Sequence, residues 1–310
     1  MLNNNLCNLC NYKSWRLLGY NSYHKDVKIS GNPIILKNYK YSIRVCPSCG
    51  FLWKHPQLPY NEYLENYKKS YLDDWISDET AIKDRRLKEK QLIIEKCLKN
   101  AGGHRVLDIG CGHGDFLSCW GDDWEKYGVE INVSACKACR EAGIAIIGES
   151  IEDVANVAVS FDIISMMDVI EHLPSPYVQL KAAISKLKKG GAIVIETGNV
   201  ESLISKIMQV DWHYYSAIEH ISFFSEQSLR FLFERLGIET RLIYKWPHMV
   251  RSRWHKFKGW QSALQFKWPF LRPRHLLKTI ISQKRWPQKE GSSPWLTGLN
   301  DHIFIIGIKQ

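Results

Sequence analysis

At 310 residues, with 45% hydrophobic and 24% charged side chains, the chain carries enough apolar material for a full core plus a smaller module, which excludes disorder as its general state. The formal charge of +10 suggests a polyanion partner until its position is read: eleven Lys or Arg and one acid lie between Trp246 and Trp295, so the other 260 residues sum to zero. The opening MLNNNLCNLC lacks the basic start and apolar stretch of an export signal, and no apolar run reaches the roughly 20 residues that a membrane-spanning helix needs. Together these predict a cytoplasmic protein whose nine cysteines are reduced thiols rather than a disulfide framework.

In chain order, residues 1–58 read as a small zinc-binding module. Cys7-x-x-Cys10 and Cys46-x-x-Cys49 have the spacing of two knuckles around a tetrahedral Zn2+, and Pro47 and Gly50 favour a tight turn around a metal. Four thiolates close such a site, so the metal is expected to be structural. The prolines of HPQLPY mark a boundary, and residues 59–100 read as a helical linker in which Ile82, Leu87, Ile94 and Leu98 share one face. From 101 to 245 short apolar strands alternate with helices: strand RVLDIG, helix DFLSCW, strand EKYGVE, helix SACKACREAG, strands AIIGES and FDIISMMD, helix SPYVQLKAAISKLKKG, strand GAIVIETGN, helix EQSLRFLFERLG and strand ETRLIYKW. A basic, tryptophan-rich insertion occupies 246–296, and DHIFIIGIK within 297–310 supplies a final strand. The alternation predicts an α/β fold with a mostly parallel sheet covered on both faces. Cys136 and Cys139 fall on one helix face with no second pair nearby, and read as buried small side chains.

VLDIGCGHGDF is the most informative stretch. Gly110, Gly112 and Gly114 follow a buried strand and open the next element, which lets backbone approach a ligand closely. The spacing is G-x-G-x-G, one residue tighter at the third glycine than the dinucleotide fingerprint. Glu130 closes the next strand, placed to accept hydrogen bonds from a ribose diol.

On these residues the segment from 101 to 242 resembles the class I S-adenosylmethionine-dependent methyltransferases, a Rossmann-like sheet that is parallel but for one antiparallel strand. The resemblance implies that Asp108, Gly110, Cys111, Gly112 and Gly114 meet the methionine part of S-adenosyl-L-methionine. It further implies that Glu130 holds the ribose, that Ile131 packs on adenine, and that Glu149, Ser150 and Ile151 lie near the adenine amino edge. Asp168, at the tip of the fourth strand, is by the same resemblance a cofactor-binding residue. A cysteine module ahead of such a core is similar to a narrower family, the sugar C- and O-methyltransferases of antibiotic and surface-polysaccharide pathways. CPSCGFLW, YNEYLENYKKSYLDD, EHLP and AIEHISFFS carry that likeness.

Methyl transfer from a sulfonium requires an aligned acceptor and removal of its proton, from a hydroxyl or from a carbon beside a ketone. The sugar-methyltransferase resemblance places His220 as the base, with Glu219 to orient or share the proton, His172 at the same rim, and Tyr71 or Tyr67 against the sugar. Residues 212–215 and Asn199 read either as acceptor-lining or as core and turn. No carboxylate pair of the kind that holds a catalytic Mg2+ stands at the strand tips, which predicts metal-independent transfer.

In 246–296, Val250, Trp254, Phe257, Leu264 and Trp268 form one stripe flanked by basic residues, the pattern of a helix in a membrane interface. A lid, an oligomer contact and RNA are the competing partners for this segment. The reading is thus a methyltransferase acting on a nucleotide-linked or lipid-linked sugar. A zinc-ribbon RNA methyltransferase and a non-catalytic binding protein of the same fold are its alternatives.

Overall fold

The computed structural model describes residues 6–23, 27–29, 32–34, 39–58, 64, 65, 68, 80–98, 104–247 and 300–310. Tyr67, Tyr71 and most of the basic segment, 248–299, lie outside the described residues. Five strands come first: β1 (Arg16–Tyr23), β2 (Val27–Ile29), β3 (Asn32–Ile34), β4 (Tyr39–Val45) and β5 (Leu52–His55). Helix α1 (Thr80–Cys97) leads into β6 (Arg105–Ile109), β7 (Glu125–Val129), α2 (Val133–Glu141), β8 (Ala145–Gly148) and β9 (Phe161–Met167). Then follow α3 (Pro176–Ile184), β10 (Leu187–Gly198), α4 (Leu203–Met208), α5 (His213–Ser216) and β11 (Ser222–Phe223). The described chain closes with α6 (Glu226–Arg235), β12 (Ile238–Trp246) and β13 (His302–Lys309).

The main sheet has the order β12-β13-β10-β9-β6-β7-β8. β8, β7, β6, β9 and β10 run parallel, while β13 pairs antiparallel with both β10 and β12, so one strand opposes the rest. This is the α/β arrangement expected from the alternation. Its central strands read as continuous apolar runs because both faces are covered. Leu107, Ile109, Ile164, Met166, Ile193 and Ile195 pack toward Leu180, Ala183 and Ile184 of α3 and Leu229, Leu232 and Phe233 of α6. Val106, Ile163, Val194 and Phe304 face the other way, toward Ile94 of α1, Trp120 and Trp124. Each fully buried side chain of this size contributes about 1.5–3 kcal/mol through burial.

Local chemistry sets where helices begin. The Ser225 hydroxyl accepts from the Ser228 N–H (3.1 Å) and the Ser228 hydroxyl accepts from the Ser225 N–H (2.9 Å), a reciprocal cap that opens α6. Two expectations give way. DFLSCW forms only a 3₁₀ turn over Leu117–Cys119, because Trp120 and Trp124 turn inward to a 4.5 Å ring contact and Gly121 breaks the run. The LKKG that ends the expected third helix belongs instead to β10, where Leu187 pairs with Phe161 and the register shifts before Ala192.

The N-terminal strands form a second sheet of order β1-β4-β5-β11, all antiparallel. Its fourth strand comes from the 101–245 stretch: Ser222 pairs with Trp53 and Phe223 with Leu52. Cys7, Cys46, Cys49, Phe51 and Trp53 share one apolar cluster with α6 and the main sheet. The cysteine-bearing sheet is therefore bonded to the segment immediately after His220.

Candidate active site

The parallel strands end along one edge, and their following turns carry the polar groups. After β6 the chain passes through Gly110, Gly112 and Gly114 with φ of 73°, 53° and 84°, a left-handed region that side chains rarely adopt. A Cβ on Gly110 would stand 2.5 Å from Val169 Cγ2, and one on Gly114 would stand 2.4 Å from Ile144 Cδ1, so both positions also lack room. At Gly112 nothing among the described residues lies within 4 Å of that point, so the loop is open there.

Glu130 fastens the loop to the end of β7. Its Oε2 accepts from the Gly112 N–H and its Oε1 from the Asn132 N–H, both at 2.8 Å. Each oxygen keeps a second lone pair, so the carboxylate can bind a diol without giving up its backbone partners. Asp108 is buried, and its Oδ1 accepts from the Ser165 hydroxyl at 2.7 Å. Burial, reinforced by the charge of Glu130, pushes its carboxyl up to about 7. A cationic amine brought beside it would return it to the carboxylate form. Cys111 is buried 3.8 Å from Cys139 Sγ, and the thiols of Cys139 and Cys136 donate to the carbonyls of Gly112 and Glu130. The Cys136-x-x-Cys139 pair thus supports the loop from α2.

Ile131 is half-buried after β7. Glu149 is exposed and paired with Lys68 at 2.8 Å, while the N–H groups of Glu149 and Ser150 both donate to Asp153. Ile151 points into the core.

Beyond β9, Asp168 adopts φ of 55° and pairs with His302 of β13 (Oδ1 to Nε2, 3.2 Å). Asp301 flanks the other side of that imidazole at 3.7 Å. Although burial alone would lower it, the two carboxylates raise His302 to about 10. Because the folded value lies above the unfolded one, this pairing stabilises the fold fully below about pH 6.5 and is lost as pH rises through about 10. Thermal unfolding of the protein and of His302→Gln should therefore differ in stability by an amount that shrinks by several kcal/mol over that interval. A difference constant with pH would contradict the charge assignment.

The 3₁₀ turn Ile170–His172 brings Glu171 and His172 against the segment before β11. Glu171 is fully buried and accepts from the Tyr214 hydroxyl (2.6 Å) and the Thr197 hydroxyl (2.9 Å), and burial raises its carboxyl. His172 and His220 lie with ring centroids 5.0 Å apart. His172 Nδ1 lies 3.1 Å from the Glu219 carbonyl, and His220 Nδ1 lies 3.0 Å from the Tyr214 carbonyl. A carbonyl only accepts, so each Nδ1 carries a proton, and the His220 ring, when neutral, keeps its lone pair on Nε2. Burial, then the charges of His172 and Lys54, holds His220 well below the usual imidazole range.

The structure thus brings His220, Glu219 and His172 together at this rim, whereas Tyr71 lies outside the described residues. Trp212, Tyr214 and Tyr215 are core, and Asn199 takes a turn role, donating to the Asn300 carbonyl and accepting from the Glu201 N–H. Glu171, His302 and Lys54 were missed by the sequence reading. The only signal for Lys54 is a lone charge within the apolar run FLWKH.

The four thiols of Cys7, Cys10, Cys46 and Cys49 lie within 4.8 Å of one another. Cys7 Sγ stands 3.6 Å from Cys49 and Cys10 Sγ 3.5 Å from Cys46, too far for disulfides and close to the ~3.8 Å edge of a tetrahedron with metal–sulfur bonds of about 2.3 Å. Asn11 and Gly50, each directly after the second cysteine of its pair, have φ of 61° and 73° and return their N–H groups to the carbonyls of Cys7 and Cys46. The Cys49 thiol holds Cys7 down to about 6. These donors fit a tetrahedral thiophilic cation. Donor atoms of Glu171, His172 and His220 are equally close. There, burial raises the Glu171 carboxyl and the Lys54 ammonium adds positive charge beside His220, so we assign no cation to that cluster.

A family model described as a methyltransferase domain matches residues 81–242, more than half of the chain. Over 109 residues the chain is 34% identical to a ubiquinone biosynthesis O-methyltransferase of Xanthomonas axonopodis pv. citri, a stretch covering 31% of this chain and 44% of that protein. A protein of the same name from Idiomarina loihiensis is 32% identical over 105 residues, 31% of this chain and 43% of its own length. The chain thus spans less than half the length of these curated relatives. Among solved structures, a SAM-dependent methyltransferase from Archaeoglobus fulgidus is 23% identical over 81% of this chain and 100% of that one, with a TM-score of 0.48. Magnesium protoporphyrin IX methyltransferase from Synechocystis PCC 6803 gives 10% identity, the same coverage and a TM-score of 0.48. The family match is long enough to settle kinship: the chain belongs to the methyltransferase-domain family.

Proposed function

We propose that this methyltransferase acts on a sugar carried by a nucleotide or a lipid, in surface-polysaccharide or related glycan synthesis, with His220 as the base that takes the acceptor's proton. The observation that carries the base assignment is the fixed tautomer of His220. With Nδ1–H donated to the Tyr214 carbonyl, burial keeps the ring neutral and leaves Nε2 as a proton acceptor.

S-adenosylmethionine supplies, when bound, a methyl group on a positively charged sulfur that departs as a neutral thioether. Asp108 and the glycine loop are read as holding its methionine part, Glu130 its ribose, and Ile131 with Glu149 and Ser150 the adenine end. Support comes from the open side of Gly112, the spare lone pairs of Glu130 and the buried carboxyl of Asp108. His220 Nε2 takes a proton from the acceptor hydroxyl or carbon, whose electron pair then forms the new bond to the methyl carbon. Glu219 and His172, coupled through the Glu219 carbonyl, orient the base. The four thiols are read as a structural Zn2+ site, and the basic 246–296 segment as the face toward an anionic lipid surface or lipid-linked acceptor.

Glu130→Gln is expected to weaken binding of the cofactor about 10–100-fold by calorimetry, the cost of losing hydrogen bonds to a charged acceptor. An unchanged Kd would remove Glu130 from the cofactor site. The acceptor is tested by supplying labelled cofactor with a panel of nucleotide sugars, lipid-linked sugars, a phenol, and total RNA. Label on a sugar supports the reading. Label on the phenol or on RNA alone would replace it.

A further inference from the structure

Lys54 is a buried lysine, 1% exposed, within β5. Its ammonium donates to the Ala217 carbonyl (2.6 Å) and to the Tyr23 hydroxyl (3.0 Å), and stands 4.8 Å from the centre of the Tyr41 ring. Its backbone N–H donates to the Ile221 carbonyl at 3.0 Å. One residue of the N-terminal sheet therefore grips both ends of the short turn that presents Glu219 and His220. The same turn is held from the main sheet by the Ile221 N–H on the Glu171 carbonyl (2.9 Å) and closed within itself by the His220 N–H on Ala217 (3.3 Å).

A buried ammonium needs a reason, because a methionine would fill the same space at no desolvation cost. No carboxylate lies within salt-bridge distance of Nζ among the described residues. The groups that face it are the Tyr23 hydroxyl from β1, the Tyr41 ring from β4 and, at longer range, the Glu219 carboxylate. The groups that face His220 are Glu171 and His172 from the 170–172 turn, Asp168 from the tip of β9, the Tyr214 ring and carbonyl from α5, and Lys54. Lys54 is the one cation from the N-terminal sheet in that shell among the described residues. Burial pushes the Lys54 ammonium down to about 7, so it is charged in the acid range where His220 titrates, and there its charge and that of His172 both disfavour a proton on His220, while Asp168 opposes them.

We propose that Lys54 is a positioning residue for His220, through which the cysteine-bearing sheet fixes the 217–221 turn and sets the charge that the imidazole faces. The idea rests on the reading of His220 as the acceptor's base. It assigns the N-terminal sheet a part in the reaction beyond stability. Removing Zn2+ would act at His220 along the same route, since β5 follows directly on the Cys46–Cys49 knuckle and Phe51.

The test uses the full chain with Lys54→Met and Lys54→Gln. Histidine-labelled protein is titrated by NMR, with the His220 signal assigned through His220→Gln. In the native protein His220 is expected to stay neutral into the acid range. In either variant it should protonate at higher pH, because a positive neighbour has gone. The acid limb of kcat/KM should move upward with it, and kcat should fall about 10-fold while KM for the cofactor stays within about 2-fold. Lys54→Gln retains a donor for Ala217, so it is the variant that carries the charge argument if Lys54→Met does not fold. A folded variant with an unmoved His220 signal and an unmoved acid limb overturns the proposal. That result leaves the base assignment intact, whereas full turnover by His220→Ala would sink the base assignment and leave the NMR result standing.

Discussion

Replacing His220 by alanine lowers kcat by about 10²–10⁴-fold, the usual worth of a positioned general base, while the affinity for S-adenosylmethionine is unchanged. The split is expected because His220 stands on the turn before β11, held by the Tyr214 carbonyl, and touches neither the glycine loop nor Glu130. The pH dependence has a definite sign. His220 sits well below the ordinary imidazole range, so the base form is present at neutrality and turnover falls only once acid protonates the ring. The companion His172→Ala should cost less, since His172 reaches the turn through the Glu219 carbonyl. Single-turnover rates with saturating cofactor measure both. A His220→Ala enzyme within about 2-fold of the native rate would assign proton removal elsewhere.

Loss of the proposed Zn2+ from the four thiols should be the largest single blow to stability. Cys7, Cys46 and Cys49 are buried, and they share a core cluster with Phe51, Trp53 and Phe224 and with α6. Four thiols drawn this close without a cation would leave polar, readily ionised groups in an apolar setting. A tetrahedral thiolate site turns that liability into binding energy that is also folding energy. Cys49→Ser, or treatment with a strong chelator, is therefore expected to destabilise the protein by more than about 4 kcal/mol, in the class of lost structural metals. The same change should release the β5–β11 pairing and with it the His220 turn. Metal analysis should return about one zinc per chain. A metal-free protein of native stability would contradict the assignment.

Much of the fold was legible because its signals are local. Continuous apolar runs such as FDIISMM and AIVIE announce strands covered on both faces, and the glycine loop with Glu130 carries its reason in its spacing. The rim residues Glu219, His220 and His172 were reached through likeness to a family, and the geometry then supplied what spacing does not hold, the two Nδ1 contacts. What stayed hidden depends on long-range pairing. β11 is two residues long, so it has no periodicity to read, and its partners Leu52 and Trp53 lie far away in sequence. Lys54 looks like an ordinary surface charge until that pairing buries it. His302 reads as one residue of an apolar strand, and only the crossing of β10 between β9 and β13 brings it to Asp168. DFLSCW misleads for a different reason, since two tryptophans seeking burial outweigh helical propensity over a short segment.

On this proposal the glycine loop and Glu130 present the cofactor's methyl group to an acceptor whose proton His220 takes. A crystal structure of the protein with S-adenosylhomocysteine tests it most directly. The account predicts the ribose hydroxyls on the Glu130 carboxylate, the amino acid end beside Asp108 and Gly112, and the sulfur directed toward the His220 ring. A cofactor bound away from Glu130, or one whose sulfur faces away from His220, would contradict it.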